Sequence, residues 1–190
     1  NIGPIINSSG RIAKANHVVE LFLSQNDDEI ETLINKMNNH NETRKRIEQE
    51  NLSLIDVKKY YNKNIIFIYN KEFHEGTIGI IAAKLSQTFN KPCFIITESQ
   101  DLLKCSIRSG NNLKINKTIN KLIANKLIIS GGGHEEAGGF SAKKADLSNI
   151  EDFLNKEYTA LETKNYSYFD SFTIFPKKNS SIVKDIKSLE

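Results

Sequence analysis

Apolar positions along this chain change period several times, and each change marks an element. Residues 1–11 mix Gly, Pro, Asn and Ser without any period and read as a loop. From 12 to about 25 the period turns helical, with Val18, Val19, Leu21, Phe22 and Leu23 crowding one broad face. Asn26 and Asp27 break that pattern and are placed to cap a second helix. This helix is predicted over 27–61. Ile30, Leu33, Ile34 and Met37 recur at helix spacing, and Asp28 and Glu29 fall in the first turn, where the macrodipole favours acids. One side of it is almost wholly polar, as in helices that bridge domains or lie along a surface. Its basic trio Arg44-Lys45-Arg46 reads as a solvated face paired with nearby glutamates.

The texture then changes. Ile65-Ile66-Phe67-Ile68-Tyr69 is continuous and rich in β-branched residues, the pattern of a buried strand. A turn at Phe73-His74-Glu75-Gly76-Thr77 leads into a helix predicted through 89, with Thr77 as its cap. Asn90-Lys91-Pro92 ends that helix, and Cys93-Phe94-Ile95-Ile96-Thr97 forms a second strand. Strand, helix, strand at this spacing predicts a right-handed unit with parallel strands. A third strand over 103–109 follows a short polar turn and is expected to pair antiparallel. In it Ser106 and Arg108 share one face, because strands have period two. A helix from 114 or 115 to 126 comes next. A Gly-rich loop and a strand at Phe140 follow it, and then a last helix from 146 that fades near 164. The tail changes again: 168–175 alternates like a strand, Pro176 breaks it, and 180–189 has a short helical pattern.

The fold class expected from this order is α/β, a small mixed β-sheet flanked by helices. A length of 190 residues suits one domain with flanking pieces, and 38% hydrophobic against 26% charged residues supports an ordinary core. A net charge of +3 permits a local phosphate-binding patch without announcing a nucleic-acid protein. Cys93 and Cys105 lie apart in apolar contexts with no zinc spacing, which suits reduced, buried thiols and a cytoplasmic location. No run is long or apolar enough to span a bilayer, so no membrane partner is expected. The single methionine is Met37 and the opening residues read like mid-protein sequence, so a segment of a longer polypeptide is expected.

The chemistry concentrates in Ser130-Gly131-Gly132-Gly133-His134-Glu135-Glu136-Ala137-Gly138-Gly139-Phe140, which holds five of the chain's ten glycines. Glycine triplets are costly in chain entropy, so a loop that keeps them needs positive φ or very close backbone approach. Exposed backbone N–H groups of such a loop form a concave anion site, and an imidazole at its rim donates to the same anion. No Lys-Ser/Thr follows, and Glu136 stands where a dinucleotide fingerprint needs glycine, so neither familiar phosphate loop fits. A plain tight turn before a strand is the alternative.

Arg108 on a mostly apolar strand needs an anion: a phosphate, which its planar fork of donors suits, or a structural carboxylate. His74 at a strand end has two open readings, substrate contact or helix cap. His17 and His40 sit in polar helical surroundings and read as incidental. His134-Glu135-Glu136 is a poor metal set because neighbouring side chains on an extended segment point apart. Tyr60 and Tyr61 suit either helix-end packing or base stacking.

Four stretches together carry a resemblance. Residues 131–140, Gly-Gly-Gly-His-Glu-Glu-Ala-Gly-Gly-Phe, resemble the signature of the DHH-associated domain, the second domain of DHH-family phosphoesterases. Gly3-Pro4-Ile5-Ile6-Asn7-Ser8-Ser9-Gly10-Arg11 resembles the inter-domain motif of that family's single-strand-specific exonucleases. So do Phe73-His74-Glu75-Gly76-Thr77-Ile78-Gly79-Ile80-Ile81-Ala82 and Lys104-Cys105-Ser106-Ile107-Arg108-Ser109 at their own places, in matching order from residue 3 to about 158.

The resemblance implies three parts: an inter-domain loop and linker helices over 1–60, a substrate-binding domain over 61–163, and the truncated start of an oligonucleotide-binding barrel over 164–190. It implies hydrolysis of single-stranded DNA from the 5′ end, in repair and recombination. It further implies Mn or Mg bound by an upstream domain absent from this chain, none bound here, and no cleavage by this piece alone. Single-stranded DNA and the upstream and downstream domains are the implied partners. The resemblance assigns Ser106 and Arg108 to a terminal phosphate, His134 with the amides around Gly132 and Gly133 to a phosphate nearer the metals, and Ser109 and Gly131 to substrate binding beside them. His74 and Arg11 are further substrate contacts, and His134 is the catalytic candidate. The motif's usual arginine after Gly-Pro is Ile5 here, so that contact is either lost or shifted to Arg11. Oligoribonucleases, cyclic-dinucleotide phosphodiesterases and alanyl-tRNA synthetases share the Gly-rich signature and are the alternative functions.

Overall fold

A computed structural model describes residues 2–12, 16–110 and 114–158. The predicted tail strand, tail helix and barrel start all lie outside the described residues.

Three helices open the chain: α1 (Ile2–Ile12), α2 (Asn16–Leu23) and α3 (Asp27–Ser53). The first corrects the expected loop. Pro4 falls in the first turn, where its missing N–H costs nothing. The helix is held by packing rather than by propensity: Ser8 and Ser9 are fully buried beneath it. The Ser8 hydroxyl donates to the carbonyls of Ile5 at 2.6 Å and Met37 at 3.4 Å, and Ser9 bonds His40 Nδ1 at 3.3 Å. Small residues let α1 lie close on α3. The Asn26 side chain caps α3 by accepting from the N–H groups of Asp28 at 2.9 Å and Glu29 at 3.2 Å. The helix stops at Ser53, earlier than expected. A separate 3-10 turn, Val57–Tyr60, follows with Asp56 as its cap.

The sheet comprises β1 (Ile66–Tyr69), β2 (Cys93–Ser99), β3 (Leu102–Arg108), β4 (Ser130–Gly133) and β5 (Ala137–Ala142). Its order is β1-β2-β3-β5-β4, parallel between β1 and β2 and antiparallel elsewhere. The parallel pair is joined by α4 (Glu75–Phe89); α5 (Ile115–Ala124) and α6 (Leu147–Tyr158) follow later. This is the small mixed sheet flanked by helices that the pattern predicts. One correction is large. The triple glycine is a strand, β4, and the turn is His134-Glu135-Glu136. A strand without side chains has no alternation by which to be read.

The two faces of the sheet differ. On one, Phe67, Phe94, Ile107, Ile96, Cys105 and Phe140 form a core with Ile115, Ile119 and Leu122 of α5 and Ile150 and Leu154 of α6. On the other, α4 packs over β2 and reaches the near side of β3, burying Ile66, Ile68, Cys93 and Ile95 against Ile78, Ile81 and Leu85. The rest of that face, from Lys104, Ser106 and Arg108 of β3 across β5 and β4, is left open beside the helix. Both cysteines are buried and free, and burial pushes their thiols well above the usual range. No described helix is long and apolar enough to cross a membrane.

Candidate functional site

The open half-face floors a groove of about 840 Å³. Antiparallel partners project to the same side, so the register gives its floor row by row. Lys104 stands with Ser141 and Ser130, Ser106 with Gly139 and Gly132, and Arg108 with Ala137. The buried-and-exposed alternation of β3 turns Leu103, Cys105 and Ile107 into the core and Lys104, Ser106 and Arg108 towards the groove. Lys104 Nζ donates to the Ser141 hydroxyl at 3.0 Å. Helix α4 forms one wall. Gly79 lets it pass close to β3: a Cβ there would stand 3.2 Å from Ser106 Oγ and 3.9 Å from Arg108 Nη2.

The end of α1 and the start of α4 close one end of the groove. His74 is the N-cap of α4, its Nδ1 accepting from the Gly76 N–H at 3.0 Å. An accepting Nδ1 carries no proton, so the neutral ring has its N–H on Nε2, a donor. The expected cap, Thr77, sits one turn in and is fully buried. Its hydroxyl donates to the His74 carbonyl at 2.8 Å and accepts from Asn51 Nδ2 at 3.0 Å. A Cβ at Gly76 would collide with the Arg11 carbonyl, and Arg11 Nη1 donates to the Gly76 carbonyl at 3.4 Å.

The electrostatics are one-sided. Arg11, Lys104 and Arg108 line the groove against one carboxylate residue, Glu75. Partial burial and the neighbouring Arg11 charge push the Arg108 pKa down. Among the described residues no carboxylate pairs with either arginine; Arg108 Nη1 spends one hydrogen bond on the Ile107 carbonyl at 2.9 Å. Two guanidiniums brought near one another without a counter-charge repel, and an anion between them relieves that cost.

Of the sequence-predicted residues, Arg11, His74, Ser106, Arg108 and Gly131 line the groove together. Gly132 adjoins it through its row. Gly133 and His134 lie at the β4–β5 turn, outside the lining. Ser109 is turned away, its N–H donating to the Glu136 carbonyl at 2.9 Å, and it borders a second cavity. The glycines serve close approach rather than positive φ: among the described residues Gly110 is the glycine with φ in that region. Strand β4 is the sheet's edge, and the His134 N–H bonds inward to the Ala137 carbonyl at 2.8 Å. Alternation then turns the N–H groups of Gly131 and Gly133 outward. The turn itself is pinned to α5: the Ile115 N–H donates to the Glu135 carbonyl at 2.9 Å, and Lys114 Nζ meets Glu135 Oε1 at 2.7 Å. That bond holds the Glu135 carboxyl below its usual range.

Lys104, Gly79 and Glu75 were missed by the sequence reading. Lys104 was legible, two positions before Ser106 and four before Arg108 on the same strand. A glycine inside a helical pattern, as at Gly79, hints at close packing without naming the neighbour. Among the described residues no group of three or more His, Cys, Asp or Glu is placed to hold a metal ion. The groove's donor set, cationic and hydroxylic, suits an anion instead.

A mixed sheet with a helix over half of one face and a glycine hairpin at its edge defines a known class: the chain belongs to the DHHA1 domain family, whose model matches residues 62–161. Beyond that domain the likeness extends to RecJ. The single-stranded-DNA-specific exonuclease RecJ of Salmonella typhimurium is 30% identical over 153 residues, covering 75% of this chain and 26% of that protein. The same-named protein of Haemophilus influenzae is 25% identical over 166 residues, 82% of this chain and 29% of that one. The crystal structure of Thermus thermophilus RecJ in complex with Mn2+ matches with a TM-score of 0.75 at 23% identity, over 83% of this chain and 24% of that chain. The chain therefore spans about a quarter of the length of these relatives.

Proposed function

We propose that this chain is the strand-holding part of a RecJ-like exonuclease that hydrolyses single-stranded DNA from its 5′ end. The observation that carries the reading is the meeting of Arg11 from α1 and Arg108 from β3 at one groove, neither paired with a carboxylate among the described residues. In this reading the terminal phosphate sits on Arg108 and Ser106. The guanidinium offers paired donors that match phosphate oxygens, and the hydroxyl adds another. Lys104 and Arg11 extend the positive field along the groove. Gly132 and Gly139 keep its floor free of side chains, so the sugar-phosphate chain can lie close to the backbone. His134 and the outward amides of Gly131 and Gly133 hold the next phosphate, where fixed donors stabilise developing charge. Residues outside this chain supply the metal chemistry, so the chain alone binds strands without cleaving them.

The test compares strands with 5′-phosphate and 5′-hydroxyl ends. Arg108→Ala is expected to weaken binding of the phosphorylated strand by about 1.5–3 kcal/mol, roughly ten- to a hundred-fold, and to leave the hydroxyl strand little changed. Equal loss for both ends removes the terminal-phosphate role. Manganese-dependent degradation by the isolated chain that vanishes with His134→Ala would show that the active site is complete within it.

A further inference from the structure

Arg108 borders two spaces. Past it, away from the groove, lies a second cavity of about 380 Å³ between the later turns of α4 and the ends of β3 and β5. Ala83, Ser86 and Gln87 line it from the helix, with Ser109, Glu136 and Ala137 opposite. Its chemistry differs from that of the groove. The groove sets three cationic residues against one acid, whereas here Arg108 is matched by Glu136 and the remaining lining is neutral. A phosphate gains nothing by entering. An uncharged, flat group with polar edges fits better: alanine methyls offer narrow apolar walls, and the Ser86 and Ser109 hydroxyls and the Gln87 amide offer donors and acceptors. The volume lies at the small end of ligand sites. Arg108 suits the junction, because a guanidinium uses its edge on phosphate and its face on a ring.

We propose that this cavity is a nucleobase subsite, taking the base of the nucleotide whose phosphate Arg108 holds. The inference rests on the reading of Arg108 as a phosphate anchor.

The experiment measures binding of the full 190-residue chain to three single strands: 5′-phosphorylated with an intact first nucleotide, 5′-phosphorylated with an abasic first nucleotide, and intact with a 5′-hydroxyl. The intact phosphorylated strand is expected to bind roughly three- to ten-fold tighter than the abasic one, the scale of one net hydrogen bond. Ala83→Leu, which fills the cavity, and Gln87→Ala, at an exposed position, are each expected to shrink that difference while preserving the preference for phosphate over hydroxyl. Equal binding of intact and abasic strands overturns the subsite, as does a difference that survives in both variants. Loss of the phosphate preference in the unmodified chain instead overturns the reading of Arg108, so the two failures are distinguishable.

Discussion

Under α4, the strands β1 and β2 present Ile66, Ile68, Cys93 and Ile95, all buried. One strand further along the same rows, β3, β5 and β4 present Arg108, Ser106, Gly139 and Gly132 to open space. Ile68, Ile95, Ser106, Gly139 and Gly132 form one such row, and its chemistry changes between Ile95 and Ser106. The opposite face shows no such change: Phe67, Phe94 and Ile107 continue apolar beneath α5 and α6. Helix α4 reaches β3 and goes no further; covering more sheet would bury Lys104 and Arg108 without a carboxylate, at a cost of several kcal/mol for each charge. An incomplete layer is thus a stable end-state, and the uncovered part is the site.

Substitutions at row neighbours Ile95 and Ser106 break this contrast most directly. Ile95→Ala removes a fully buried side chain and is expected to cost about 2–5 kcal/mol in urea or thermal unfolding. Ser106→Ala is expected to stay within about 0.5 kcal/mol of the parent while weakening binding of 5′-phosphorylated strands. Comparable destabilisation by the two would mean that the groove wall belongs to the packed core.

The hairpin glycines give a second, smaller contrast within a single motif. A Cβ on Gly138 would stand 2.7 Å from Ile119 Cδ1, and one on Gly139 would stand 2.6 Å from the Cys105 carbonyl. A Cβ on Gly132 meets nothing within 4 Å. Gly138→Ala is therefore expected to destabilise by about 1–3 kcal/mol through overpacking against α5. Gly132→Ala is expected to be neutral or to stabilise by up to about 1 kcal/mol, as alanine does in a strand, while binding of single strands falls. Unchanged binding in the Gly132 variant would mean that its freedom from a side chain serves no ligand.

These contrasts separate what the sequence made legible from what it did not. Elements whose signal is local were readable: the β-branched runs at 65–69 and 93–97, the helix between them, and the period-two pairing of Ser106 with Arg108. Elements stabilised from a distance were not. Helix α1 contains Gly3, Pro4 and three Ser or Asn residues in succession, and only its burial against α3 makes it helical. The triple glycine shows no period because it has no side chains, so its strand exists by pairing with β5 and by letting Ile119 and Ile128 approach Gly131. The charge pair escaped for a similar reason. Arg11 and Arg108 are brought together by the way α1 meets α4, through the close approach of Gly76 to the Arg11 carbonyl, and no window of sequence contains both.

His74 stands at the border of the two regimes, part of the packed scaffold through its cap and part of the groove through its ring. Replacing it by alanine leaves the Gly76 N–H without its acceptor and is expected to cost about 1 kcal/mol. Asparagine caps as well as any residue, so His74→Asn is expected to recover that stability. It does not reproduce a ring N–H held out from the helix end by an accepting Nδ1. Strand binding is therefore expected to remain weakened in the Asn variant after the unfolding midpoint has returned to that of the parent. If affinity recovers along with stability, the imidazole acts through the helix start alone, and the groove's recognition reduces to its cations, hydroxyls and bare backbone.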